Sequence, residues 1–211
     1  MRTLRLLVAF VLTTGGCLTG RAAYLHAKAE LASVLVRRAW DRTVQQGGAH
    51  APWPWADTHP VARLRISRLS YEEIVLDNAT PRTLAFGPAR LLSGADFGEP
   101  GNLELAGHRD SWFRSLEGIA FGDRIEVEWV DQRHGGIRRR AYQVNGIDVV
   151  RPEDVHLLAP TADDTLTLIT CYPFSRSPRS PYRFVVRAKP VGPATRAGEA
   201  ARPLNPTAAR S

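Results

Sequence analysis

The sequence predicts an all-β domain, a barrel or sandwich of about eight short strands, preceded by a helix. Three observations predict it. Short segments alternate apolar and polar residues, turn residues separate them at close intervals, and helical spacing is confined to the first 46 positions. A chain of 211 residues accommodates one ordinary domain with appendages.

The N-terminus opens with Arg2 and Arg5, followed by an apolar run from Leu6 to Leu18, the layout of a signal sequence or signal anchor. That run is shorter than the ~20 residues of a bilayer span, and Arg21 interrupts it. Ala22, Leu25, Ala29, Ala32, Leu35, Val36, Ala39 and Trp40 then recur at helical spacing. One helix through both segments would start in the membrane and emerge on the far side, its basic end left in the cytoplasm. Two rival readings stay open. The small residues Thr13 to Gly16 suit cleavage, and Thr14-Gly15-Gly16-Cys17 is similar to a lipoprotein box, although Thr14 stands where an apolar residue is expected. All three readings export the strand-rich domain, and the uncleaved single-pass anchor is favoured.

Residues 47–60 hold Pro52, Pro54 and Pro60 with Gly47, Gly48, Trp53 and Trp55, and read as a linker that stops the helix. The folded domain is expected over 61–190. Val61–Ile66 sets Leu64 and Ile66 against Arg63 and Arg65. Tyr71–Leu76, Thr83–Phe86 and Asn102–Ala106 are further strands. Asp123–Val130 alternates Ile125, Val127 and Trp129 with Arg124, Glu126 and Glu128. Arg133-His134-Gly135-Gly136 makes a hairpin turn into a long strand at Ile137–Val150. Thr165–Cys171 and Tyr182–Ala188 complete the set, with single helical turns at Ser111–Leu116 and Pro152–Leu157. From 191 to 211 the chain is Pro, Ala, Arg and Gly and is expected to be a disordered tail. Segments 1–46 and 191–211 offer no strand and are expected to be dispensable for the fold.

The formal net charge of +7 invites a nucleic-acid reading, which its distribution removes. Residues 1–46 carry seven Lys/Arg against two acidic residues, and 191–211 carry three against one. That leaves 18 of each sign in 47–190. A duplex-binding face needs its cations in the folded part, so no nucleic-acid partner is expected. The His, Cys, Asp and Glu residues lack metal-ligand spacing, and neither a metal nor a cofactor is expected.

Cys17 lies in the apolar run, so Cys171 is read as a free thiol. A packed structural thiol is the ordinary alternative. Against it, Cys171 ends a strand, and Tyr172-Pro173-Phe174 begins an irregular loop of the kind that carries catalytic groups. Of the six histidines, only His108 directly follows a core strand, behind Gly107. His108-Arg109-Asp110 mimics a kinase catalytic loop by accident, since neither the following Asn nor a glycine-rich phosphate loop is present. Arg183 lies on the strand after the Cys171 loop, so a hairpin there brings the two together. Its guanidinium is an oxyanion donor and never a base. A thiol, a distant imidazole and a strand-borne cation are the parts of a thiol acyl-transfer site.

Together these residues resemble the sortases, a family of cysteine transpeptidases. Thr167-Leu168-Ile169-Thr170-Cys171 matches the family's Thr-Leu-x-Thr-Cys strand end, with Gly107-His108 before it and Arg183 after it. Pro52–Asp57, Thr83–Pro88 and Ala106–Asp110 are similar to segments of the Gram-negative (class GN, marine proteobacterial) branch. The resemblance covers about residues 55–190. It implies an eight-stranded sortase barrel, membrane-anchored and facing the periplasm, that acts on a protein bearing an LPxT-like C-terminal sorting signal. It implies Cys171 as nucleophile, His108 as acid and base, and Arg183 as oxyanion donor. The Tyr172–Pro181 loop would wall the groove, with Thr170 and Tyr172 touching substrate. A peptidase that lets water resolve the thioester is the rival enzyme; a non-catalytic, membrane-tethered binding barrel is the rival of another class.

Overall fold

The computed structural model describes residues 2–154, 161, 163–175 and 181–196. One helix, α1 (Arg2–Gln46), precedes the strands β1 (Pro60–Ile66), β2 (Tyr71–Leu76), β3 (Ala89–Arg90), β4 (Asn102–Ala106), β5 (Arg124–Val130), β6 (Ile137–Val150), β7 (Thr165–Tyr172), β8 (Tyr182–Pro190) and β9 (Thr195–Arg196). The strands run in the order β5-β1-β2-β3-β4-β7-β8-β6-β9, and a further β5–β6 pairing closes the first eight into a ring. The expected barrel is therefore present, with β9 hanging on β6 outside it.

Closure follows from the period-two patterns. Along β1, Ala62, Leu64 and Ile66 point inward, while Arg63 and Arg65 face out. Along β5, Ile125, Val127 and Trp129 do the same. These side chains meet Leu103, Leu105, Leu166, Leu168 and Val186 in one interior cluster. A one-residue slip would turn the outward charges into that core, so the register is strongly specified. Outside, Arg63–Glu128 (3.8 Å), Arg65–Glu72 (2.6 Å) and Arg139–Glu128 (2.7 Å) pair across strands. Such partly exposed surface pairs add little stability; they fit the register without setting it.

Four expectations change. Thr83–Phe86 is not a strand; Thr83–Ala85 is a 3₁₀ turn. Pro81 and a local cap decide it: the Thr83 N–H donates to Thr80 Oγ1 at 3.2 Å, and the Leu84 N–H to Thr80 O at 3.0 Å. The short strand β3 lies just beyond, at Ala89–Arg90.

The end of α1 is not a free tether. Val36, Ala39 and Trp40 are buried, and Val36 and the fully buried Trp40 join a second apolar cluster with Ile74, Leu76 and Ala89 on the outside of the barrel. The Arg63 guanidinium lies 5.7 Å from the Trp40 ring centroid. Further toward the N-terminus Tyr24, Leu31 and Val34 are exposed. Among the described residues no helix is long and apolar enough to cross a membrane.

The 47–60 segment is likewise packed down. Trp53 meets the Phe86 ring edge-on at 4.9 Å, and the Thr58 hydroxyl donates to Asp77 at 2.5 Å. At the other end, Val191 N–H bonds Ala141 O, and Thr195 and Arg196 pair with Arg139 and Arg138. The expected tail thus begins only after β9, and residues 197–211 lie outside the described residues. The Ser111–Leu116 turn appears as turns leading into a 3₁₀ stretch at Arg114–Gly118. The helical turn expected at Pro152–Leu157 falls partly outside the described residues.

Candidate active site

Three strand ends build the site. β4 and β7 run parallel, with Ala106 opposite Ile169, so both finish at the same rim of the barrel. β8 starts there in the antiparallel sense, with Arg183 directly opposite Cys171. Paired residues of this kind have Cα atoms about 4.5–5.5 Å apart and side chains on one face. Cys171 is a half-buried free thiol, and Arg183 is half-buried beside it. One guanidinium nitrogen of Arg183, Nη1, donates to its neighbour's carbonyl, Tyr182 O, at 3.1 Å. His108 follows β4 by two residues and is exposed at the same rim. The three residues expected to carry chemistry, far apart in sequence, converge on one edge.

Hydrogen bonds fix the loop that bears His108. The Gly107 N–H donates to Ile169 O at 3.2 Å, and the Thr170 hydroxyl donates to Gly107 O at 2.7 Å, so β7 grips this glycine twice. A Cβ on Gly107 would stand 2.8 Å from the buried Phe113 ring, which explains the glycine by close approach. Phe113 in turn donates its N–H to His108 O at 2.9 Å.

Thr170 and Tyr172 occupy a different place from the one expected. Side chains alternate along β7, so both point away from the face that Cys171 shares with Arg183. Thr170 is only 3 % exposed, and its hydroxyl is spent on Gly107. The Tyr172 ring stacks on Phe184 at 6.2 Å and meets Phe174 at 6.1 Å, against the interior cluster. In this structure the side chains of Thr170 and Tyr172 brace the strand beneath the thiol. Much of the Tyr172–Pro181 loop lies outside the described residues.

Two arginines that the sequence pattern did not single out complete the rim. Arg109, 8 % exposed, donates from Nη1 to Pro173 O at 2.7 Å and from Nε to Asp110 at 3.2 Å. Arg114 donates to Phe174 O and pairs with Glu117 at 3.1 Å. Both tie the His108 loop to the segment just after Cys171. In the sequence Arg109 was marked by its place beside His108 and by the Ala106–Asp110 segment of the family resemblance, neither of which named its role.

Other histidines serve elsewhere. His59 sits 3.5 Å from Asp77, His134 bonds Asp131 at 3.1 Å, and His50 contacts Gly47 O at 2.9 Å. His156 is outside the described residues. Among the described residues no three His, Cys, Asp or Glu side chains form a metal-binding group.

Trp53 of Pro52–Asp57 meets Phe86 of Thr83–Pro88 edge-on, Asp57 pairs with Arg82 just before that segment at 3.2 Å, and Trp112, just beyond Ala106–Asp110, donates from Nε1 to Leu84 O at 2.9 Å.

The closed barrel thus gathers a thiol, an imidazole and a guanidinium at one rim. Comparison with known proteins agrees: a family model described as the sortase domain matches residues 64–191, and the chain belongs to the sortase family. Among solved structures it is similar to a Clostridium perfringens sortase D5 transpeptidase, with a TM-score of 0.61 and 19 % identity, covering 77 % of this chain and 99 % of that one. It is also similar to sortase A from Corynebacterium diphtheriae (TM-score 0.55, 27 % identity, 72 % of this chain and 65 % of that one). Listeria monocytogenes sortase A matches with a TM-score of 0.56 and 21 % identity, over 65 % and 90 % of the two chains. The matches at 19 % and 21 % identity bear on the fold alone. No curated protein matches the chain.

Proposed function

We propose that this sortase-family protein cleaves an LPxT-like sorting signal through a thioacyl-enzyme and transfers the acyl part to an amine. The observation that carries the reading is the pairing of Cys171 with Arg183 on one side of β7 and the delivery of His108 by β4 on the other. Cys171 Sγ, as thiolate, attacks the carbonyl carbon of the signal's threonine. Arg183 donates to the oxygen as it becomes an oxyanion. The carbon–nitrogen bond then breaks, and His108 gives its proton to the departing amine. An incoming amine attacks the thioester, loses a proton to His108 and expels the thiolate.

The same reading assigns the protein to the Gram-negative branch, on the similarity of Pro52–Asp57, Thr83–Pro88 and Ala106–Asp110 to segments of that branch. It makes the N-terminus a single-pass inner-membrane anchor with the barrel in the periplasm, on the strength of Arg2 and Arg5 ahead of Leu6–Leu18. The sorting signal sits on a separate protein.

The test is turnover of an LPxT-containing peptide with and without added amine. Amine-dependent product at the threonine is expected; hydrolysis indifferent to any amine would make the protein a peptidase. Rapid native alkylation of Cys171 is also expected, and a refractory thiol would favour a binding barrel. Fractionation checks the anchor, since full-length protein found soluble in the cytoplasm would refute it.

A further inference from the structure

We infer that Arg109 is a positioning residue, which sets His108 against Cys171 by clamping the two loops that carry them. The inference rests on the proposed catalytic roles of those two residues. The β7–β8 ladder ends at Tyr172, so the Pro173 carbonyl has no strand partner in that ladder. Arg109 Nη1 donates to that carbonyl at 2.7 Å, while its Nε holds Asp110. The hydrogen bond therefore starts one residue from His108 and ends two residues from Cys171. His108 itself is exposed and lies beyond the end of β4, so its own side chain is not held by burial.

Two further ties show what the clamp adds. The Thr170–Gly107 bond secures the loop on the near side of His108, and Arg114 reaches Phe174 O from its far side. Arg114 is about half exposed and shared with Glu117, whereas Arg109 is buried. A buried charged donor on a carbonyl outside the strand ladder is a directional tie that an apolar side chain of equal length cannot replace. A displacement of about 1 Å between reacting groups can cost on the order of 10²-fold in rate.

The experiment uses the full-length protein, an LPxT peptide and iodoacetamide as thiol probe, with alkylation read on the Cys171-containing fragment by mass spectrometry. The variants are Arg109→Met, Arg109→Lys, His108→Ala and the His108→Ala/Arg109→Met double. Arg109→Met keeps the stem and loses the donor, and should lower kcat about 10²-fold with KM nearly unchanged. Arg109→Lys should recover about tenfold of this, since one ammonium reaches the carbonyl without the planar fork. Because the arginine acts through His108, the double variant should be no slower than His108→Ala, both in turnover and in alkylation.

Wild-type kcat for Arg109→Met, no recovery with Arg109→Lys, or a double variant that multiplies the two losses would overturn the inference. Where Arg109→Met does not fold, Arg109→Lys decides: a tenfold lower kcat at unchanged KM supports the clamp, and wild-type kcat or a rise in KM alone opposes it. A wild-type protein that cleaves no LPxT peptide would remove the proposed function, and alkylation would still judge the clamp. Convergence of Arg109→Met on the His108→Ala rate supports it. Additive effects, or rates that neither variant alters, count against it.

Discussion

Cys171 is half-buried at a strand end, and β7 offers its thiol to a cation on one side and a histidine on the other. Cys171→Ala should abolish the acyl-enzyme. His108→Ala should cost about 10²–10⁴-fold in kcat and Arg183→Ala about 10²–10³-fold, both with the fold retained. Arg183→Lys should regain little, because a single ammonium lacks the guanidinium geometry. Steady-state kinetics on an LPxT peptide checks all four. Normal turnover by Cys171→Ala would end the catalytic reading, and normal turnover by Arg183→Ala would end only the oxyanion role. Gly107 is a second sensitive position. Gly107→Ala puts a methyl against the Phe113 ring, so either that buried ring or the His108 loop must move. Overpacking of this kind costs about 1–3 kcal/mol, and kcat should fall well beyond the stability loss since His108 is adjacent. Calorimetry alongside kinetics separates the two effects.

At the scale of elements, legibility in the sequence tracked whether a segment has one wet face. β1 and β5 alternate charges with apolar residues, so their patterns could be read and their registers follow. Cys171, His108 and Arg183 were legible for a related reason: each sits at or just beyond a readable strand. Thr83–Phe86 was misread because a cap from Thr80 leaves no trace in hydrophobic periodicity. Arg109 was missed because its partner is a backbone carbonyl, which no side-chain motif announces. The docking of α1 was missed because Val36 and Trp40 suit a helix leaving a membrane as well as one packed on a barrel. That docking reverses the expectation that the first 46 residues are dispensable. Trp40→Ala should destabilise the domain by about 3–5 kcal/mol. At this size each kcal/mol moves the midpoint roughly 2–4 °C. A fragment starting at residue 47 should lose at least as much, and one starting at residue 31 should keep the full-length midpoint. An unchanged midpoint for the shorter fragment would mean that the cluster around Trp40 carries no stability.

For the molecule as a whole, hydrogen-bonded and buried carboxylates set the pH range of stability. Asp123 is held below its ordinary range by the Arg68 guanidinium, which outweighs its burial. In Asp77 burial pushes upward, and hydrogen bonds from Thr58, Asn78 and the His59 backbone more than reverse it. Backbone N–H groups, His134 first, bring Asp131 to about 2. Stability from depressed carboxylates is present above their unfolded value of 3.8 and fades as pH falls through the folded values. Glu104 has the opposite sign. It is fully buried on β4, bonded to Ser93 at 2.9 Å and Asn102 at 3.2 Å, and burial raises it above 4.5. Its contribution is present below 4.5 and lost as pH rises through the folded value. Acid unfolding should therefore steepen between about pH 4 and pH 2. Glu104→Gln should raise the midpoint at neutral pH, with the gain vanishing below pH 4.5. Thermal melts across that range test both, and a Gln variant stabilised equally at all pH values would refute the burial argument.

The placement of β7 also bears on when in its own making the protein becomes reactive. β7 lies between β4, whose facing residue is 63 positions earlier, and β8, which comes last in the ring. Pairings over such separations are slow to form, and a chain made from its N-terminus acquires them late. Until β8 arrives, Cys171 lies on an open sheet edge without Arg183 opposite, and β6 has only β5 to hold it. Shutting the ring and setting Arg183 opposite Cys171 are thus one event, and an unfinished chain holds a cysteine with no partner across the strand.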